Sequence, residues 1–231
     1  MSEFQEELAR YKAAVNRELT PEDQIIVIND LINMTLLAQA AFSEGFQISD
    51  LELDERISSL DTDDQPLADW LAATGFTEES FRVYLKRSID AAWMRDQIIN
   101  DVPLEMEQIH AQQMLFYDLT SAEITLDTLN NGKDFSELAS AHDPQTRGDL
   151  GWFPEGFLVL PELDPILFEL EIGETSDIIE TEIGYHIITV LEKDPSRPLD
   201  PAIRQLLKEK ALDDWLERRW KLSTIEISLP S

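Results

Sequence analysis

Cysteine is absent from all 231 residues. That removes disulfides, thiolate zinc sites and cysteine nucleophiles. It suits an exported chain that avoids wrong pairing, and equally a cytosolic one. Bases are scarce: 18 Lys and Arg face 47 Asp and Glu, a formal net charge of −29. Such a surface repels nucleic acid and anionic headgroups, so neither is an expected direct partner. It keeps the chain soluble and favours neutral or basic polypeptide partners. Long apolar runs are missing too. The most apolar stretch, IIVINDLINMTLLAQAAFSEG, falls short of the roughly 20 apolar residues a bilayer demands and is broken by Asn and Thr. It reads as a buried core helix stopping at Gly45, with no membrane span expected. No export signal is visible, since Met1 leads into the polar SEFQEELARYKAA. Paired carboxylates, a Ser/His/Asp order and a phosphate loop are lacking. Glu107-x-x-His110 echoes a metal motif without a partner set, so no metal and no cofactor is expected.

What remains is ordinary globular material, 43% apolar and long enough for one or two domains. Residues 4–100 read as helices. Thr20-Pro21-Glu22-Asp23 is a helix start, Ser49 to Glu52 a capping box, and Thr77 a further cap. Asp61 to Pro66 is a polar break. At Val102-Pro103 the pattern changes. IHAQQMLFYDL has the apolar density of a strand, and Thr120 to Glu123 is a capping box for a helix ending near Gly132. FSELASAH is a short helix framed by Asp134 and Glu137, and SDIIET and GYHIITVLE read as strands. The order is β-α-α-β-(helix)-β-β, an α+β unit. Asp194 to Pro198 reads as a linker, and Asp200-Pro201 opens a last helix whose apolar positions, Ile203 to Leu216, recur at helical spacing. STIEISL alternates like a short strand.

Arg147 to Ile188 is the most distinctive stretch, with RGDLGWF, then FLVLPELDPILFEL, then IGETSDIIETEIGYHII. In that order and spacing it resembles the second half of a parvulin-type peptidyl-prolyl cis–trans isomerase domain. LINMTLLAQAAFSEGFQISDLELDERISSL and WLAATGFTEESFRVYLKRSI resemble the helical chaperone domain of SurA/PrsA-like foldases. The resemblance implies an α+β chain: a mostly helical, discontinuous chaperone domain over 1–104 and 199–231, and over 105–195 a parvulin-like domain with a small antiparallel sheet flanked by helices. It implies an isomerase and folding chaperone for exported, unfolded or proline-containing polypeptides. The alternative is a holdase whose degenerate parvulin module only binds peptide. An extracytoplasmic site, periplasm or cell surface, follows from the same resemblance, with signal, first strand and any lipid anchor trimmed away.

An X–Pro bond rotates over a barrier of about 18–20 kcal/mol, so a catalyst needs an apolar pocket and polar groups that favour the twisted state. Mapped from the family, the second histidine is His186 and the nearby threonine is Thr181. The first histidine's place, in AQQML, is taken by Gln113, which hydrogen-bonds but does not titrate. Isomerase activity is therefore expected to be weak or lost. His110, three residues earlier on a strand, should face the other way. The Asp or Cys position falls on Asp143, with His142 beside it as a lesser alternative. Met114, Leu115, Phe153, Leu158, Leu163 and Phe168 should line the pocket. The plain reading stays open: His186 as a core histidine, Trp152 and Phe153 as core, Asp149 as a turn cap, Gly148, Gly151 and Gly156 as turn formers. Residues 111–195 hold 18 acids and only Lys133, Arg147 and Lys193 as bases. Phosphate recognition would need a basic cluster, so neutral or basic segments are the expected clients.

Overall fold

A computed structural model describes residues 3–60 and 66–225. Two compact units divide the chain: residues up to Asp101 together with those from Lys210, and Val102–Glu209.

The first unit is helical: α1 (Glu3–Val15), α2 (Pro21–Ser43), α3 (Asp50–Leu60), α4 (Leu67–Thr74), α5 (Glu78–Asn100) and the later turns of α9 (Pro201–Leu222). Thr20 caps α2 reciprocally with Asp23, and Thr77 caps α5 with Ser80. The stripe Leu37, Ala40, Ala41 meets Ala91, Met94, Ile98, with Ala211, Leu212, Trp215 and Leu216 packed against them. Both stripes keep helical spacing, and their alanines let the axes approach closely. Phe46 stacks on Trp93 at 4.6 Å, and buried Asp90 accepts the Ile48 N–H at 2.9 Å. By length and composition α2 is nevertheless able to cross a membrane, the one such helix among the described residues. The polar Asn29, Asn33 and Thr35 do not lower its mean hydropathy enough to exclude that.

The second unit contains β1 (Glu105–Phe116), α6 (Leu119–Asn130), α7 (Phe135–His142), β2 (Asp149–Pro154), α8 (Asp164–Glu169), β3 (Ile179–Thr181) and β4 (Gly184–Pro198). The sheet order is β2-β1-β4-β3, all antiparallel. Strand alternation splits the core into two layers. Met114, Phe116 and Ile187 pack with Ala122, Phe135 and Ala139 of α6 and α7. Ile109, Ala111, Ile188 and Val190 form the opposite layer with Phe153, Leu163, Leu167 and Ile179.

Several boundaries differ from the sequence reading. Asp194 to Pro198 is no linker: β4 runs to Pro198, with Glu105 opposite Pro198 and Met106 opposite Arg197. Pro195 falls where the register shifts and Pro198 ends the strand, so neither breaks the ladder. Helix α6 starts two residues early because the Asp118 carboxylate accepts the Ser121 N–H at 2.9 Å and caps the helix ahead of Thr120. The SDIIET strand shrinks to three residues. The division between units falls at 101/102 and 209/210 because the first turns of α9 are tied to the second unit. The Arg204 guanidinium donates to the Val102 and Pro103 carbonyls at 2.8 and 3.0 Å. Asp61 to Gln65 of the polar break, and Glu226 onward of the proposed last strand, lie outside the described residues.

Candidate functional site

Strand β4 delivers His186 to the same face as Ile188 and Val190, and its side chain is 1% exposed. At the tight β3–β4 turn, Gly184 has φ +141°, and a Cβ there would lie 2.4 Å from the Phe116 carbonyl oxygen. This turn brings Thr181 back over the histidine. Thr181 Oγ1 stands 2.9 Å from His186 Nε2, and the Ile183 N–H donates to the same oxygen. On the other side, His186 Nδ1 is 3.3 Å from Gln113 Oε1. The amide oxygen can only accept, so Nδ1–H donates to Gln113; Nε2 of the neutral ring then accepts from the Thr181 hydroxyl, which has the Gly184 carbonyl as a longer alternative acceptor at 3.2 Å. That makes a neutral imidazole between two neutral partners. Burial reinforces it, holding the His186 pKa below its ordinary value, opposed by a smaller upward pull from the Glu162 carboxylate.

Gln113 is itself held from behind. Its N–H donates to the Gly148 carbonyl at 2.8 Å. A Cβ on Gly148, where φ is +71°, would fall 2.1 Å from the Gln113 oxygen. Glycine is therefore required for this loop to lie against β1.

The apolar residues divide unevenly. Phe153 and Leu163 are buried in the layer that also holds Ile188, and the half-buried Leu158 and Phe168 cover it. Phe168 meets Phe153 edge-on at 6.4 Å. Leu115, half-buried, lies directly across from His186. Met114 does not join them: it is 1% exposed beneath α6 and α7, because neighbours on a strand face opposite sides.

Asp143 is engaged by its own turn. Its carboxylate accepts from the Thr146 hydroxyl and from the Gln145 and Thr146 N–H groups, which lower its pKa in that order of Thr146 hydroxyl first. It caps the turn after α7. His142 Nε2 is 2.7 Å from the Leu115 carbonyl oxygen and its ring lies 4.5 Å from that of Phe116, a strut between α7 and β1. His110 sits elsewhere on the sheet, 2.8 Å from Asp149, 3.6 Å from Glu192 and stacked on Trp152. Asp149 also accepts the Gly151 N–H at 2.8 Å, and this bond, then His110, lowers its pKa. Glu162 was not singled out by sequence; its place just before a pocket leucine was the available signal.

A four-stranded antiparallel sheet with two helices on one face and a buried histidine on the other defines the class. Residues 108–194 match the sequence model of the PPIC-type PPIASE domain, a parvulin-type domain. Foldase protein PrsA of a Geobacillus species is 30% identical over 203 residues, covering 81% of this chain and 71% of the relative. Foldase protein PrsA of Halalkalibacterium halodurans is 30% identical over 213 residues, covering 80% and 63%. The chain thus spans less than two thirds of the latter's length. The crystal structure of peptidylprolyl isomerase (PrsA) from Bacillus cereus shares the fold, with a TM-score of 0.54, 20% identity and coverage of 97% of this chain and 88% of that one. The chain belongs to the PrsA foldase family.

Proposed function

We propose that this chain is a peptidyl-prolyl cis–trans isomerase and folding chaperone acting outside the cytoplasm on unfolded, proline-containing polypeptides. The observation that carries the reading is the neutral hydrogen-bonded row Thr181–His186–Gln113 beside an apolar layer. Isomerisation makes and breaks no covalent bond, so such a site needs no nucleophile, metal or cofactor. The proline ring rests on Leu158 and Phe168, above Phe153 and Leu163. The Gln113 amide NH2 donates to the carbonyl oxygen of the X–Pro bond as it twists out of conjugation. His186, almost wholly buried, does not reach substrate; it is a positioning residue that fixes the Gln113 amide and the Thr181 hydroxyl. Asp143 has no part beyond shaping its loop.

Client holding falls to the helical unit. A cleft of about 590 Å³ there is lined by Ala38, Phe42 and Val83 and edged by Lys86 and Arg87. Phe42 and Val83 are 66% and 56% exposed, an apolar surface suited to unfolded chains.

A protease-coupled assay on a prolyl peptide tests the reading. The wild type should exceed the uncatalysed rate. His186→Ala should lower kcat by about 10- to 100-fold with a smaller change in KM, as expected when a reacting group is misplaced by an ångström. Suppression of client aggregation should persist. Wild-type rates at background, with aggregation still suppressed, would leave a holdase with an inactive module.

A further inference from the structure

We infer that Glu162 selects segments carrying a lysine or arginine immediately before the proline, an inference that rests on the peptide-binding role proposed above. Leu163 is 3% exposed and packs in one layer with Ile179 and Ile188. Ile179 lies directly across the strands from His186, and Ile188 is the next residue on that face of β4. The backbone that seats Leu163 there carries the exposed Glu162 one residue away from that layer. Its carboxylate is close enough to act on the imidazole, pulling its proton affinity upward.

The chemistry of the bond fixes which client residue comes near. With the proline ring on the apolar residues and the X–Pro carbonyl at Gln113, the α-carbon of X is one bond from that carbonyl. Its side chain therefore leaves from the region of His186, on the side where Leu163 packs and Glu162 adjoins it in the chain. A lysine or arginine stem is long enough to bring its cation to that carboxylate while its methylenes cover apolar surface. Three cations of this unit are engaged elsewhere: Lys133 with Glu137 at 2.9 Å, Lys193 with the Phe168 carbonyl at 2.8 Å, and Arg197 over the Trp152 ring at 4.1 Å.

The experiment measures binding of fluorescent peptides that differ only before proline (Lys, Ala or Glu) to the full chain, with turnover of the same peptides in parallel. The Lys peptide should bind about fivefold more tightly than the Glu peptide, the scale of an exposed pair gained and a repulsion avoided. High salt should shrink the difference. Glu162→Gln should remove most of it and Glu162→Lys should reverse it. Glu123→Gln, which deletes an equal charge from the exposed surface of α6, should leave it intact. Equal binding of the three peptides, a preference for Glu (as Arg147 on the neighbouring loop would produce), or a Lys preference reduced alike by Glu123→Gln and Glu162→Gln would overturn the inference. Turnover without preference refutes only the selectivity; preference in binding without turnover refutes only the isomerase reading.

Discussion

Two histidines on one sheet have opposite surroundings. His110 lies where β1 meets β2, between the carboxylates of Asp149 and Glu192, with Trp152 against its ring. His186 lies between a hydroxyl and an amide, with burial depressing its pKa. The first ties its ring to neighbouring side chains on both sides, and the second resists a positive charge. A group meant to stay neutral while ordering its neighbours belongs in the second, and a group that pins strands together is well served by the first. The difference comes from partners, and His110 also sits at a register shift of β1 that His186 does not share.

The largest expected effect strikes the backbone behind the neutral site. Gly148→Ala should cost about 3 kcal/mol or more, since added to the φ penalty is a collision with the Gln113 carbonyl that the sheet must move to relieve. Gly151→Ala, at the His110 end, has φ +67° with nothing within 4 Å of a Cβ, and should cost about 1 kcal/mol. Urea denaturation of both variants measures the gap; equal losses would mean the two ends are equally tolerant.

A pH series comes next. The folded state keeps His186 neutral where an unfolded chain would begin to take a proton. Its contribution to stability is therefore complete above about pH 6.5 and declines as pH falls below that. Isomerase rates should follow, flat above neutrality and falling on the acid side. Gln113→His, which adds a titrating group, should bring a pH dependence close to neutrality. An unchanged profile in that variant would separate Gln113 from the reaction.

The smallest effect belongs to the other histidine. His110→Ala should lose about 0.5–1.5 kcal/mol of stability, the net worth of an ordinary hydrogen bond, its carboxylate partner being half-exposed, with kcat within about twofold of wild type. A large fall in kcat would break the contrast between the two ends.

Much of the fold was legible because helix caps and strand alternation are local. Thr20, Thr77 and Asp134 cap their helices in the structure. Asp194 to Pro198 misled because two prolines signal a break, whereas pairing across to Glu105 and Met106 is set by residues about 90 positions away. Met114 misled for a simpler reason: it adjoins Gln113 and Leu115 in sequence, and adjacency on a strand means opposite faces. Asp143 is held by three donors of its own turn, local bonds that its residue type and position already suggested. The meeting of His186 with Thr181 and Gln113 is a matter of register, which residue types alone do not declare.

The long ladder between β1 and β4 has a consequence for how such a chain can change. The Leu199 N–H donates to the Leu104 carbonyl at 2.9 Å, so the polypeptide enters and leaves the sheet through one doorway. A segment whose ends touch can be excised, duplicated or transplanted with a single short splice, without asking the remaining helices to span a gap. The isomerase unit is in that sense a cassette, free to decay or be replaced while the helical part continues to be selected for its own work.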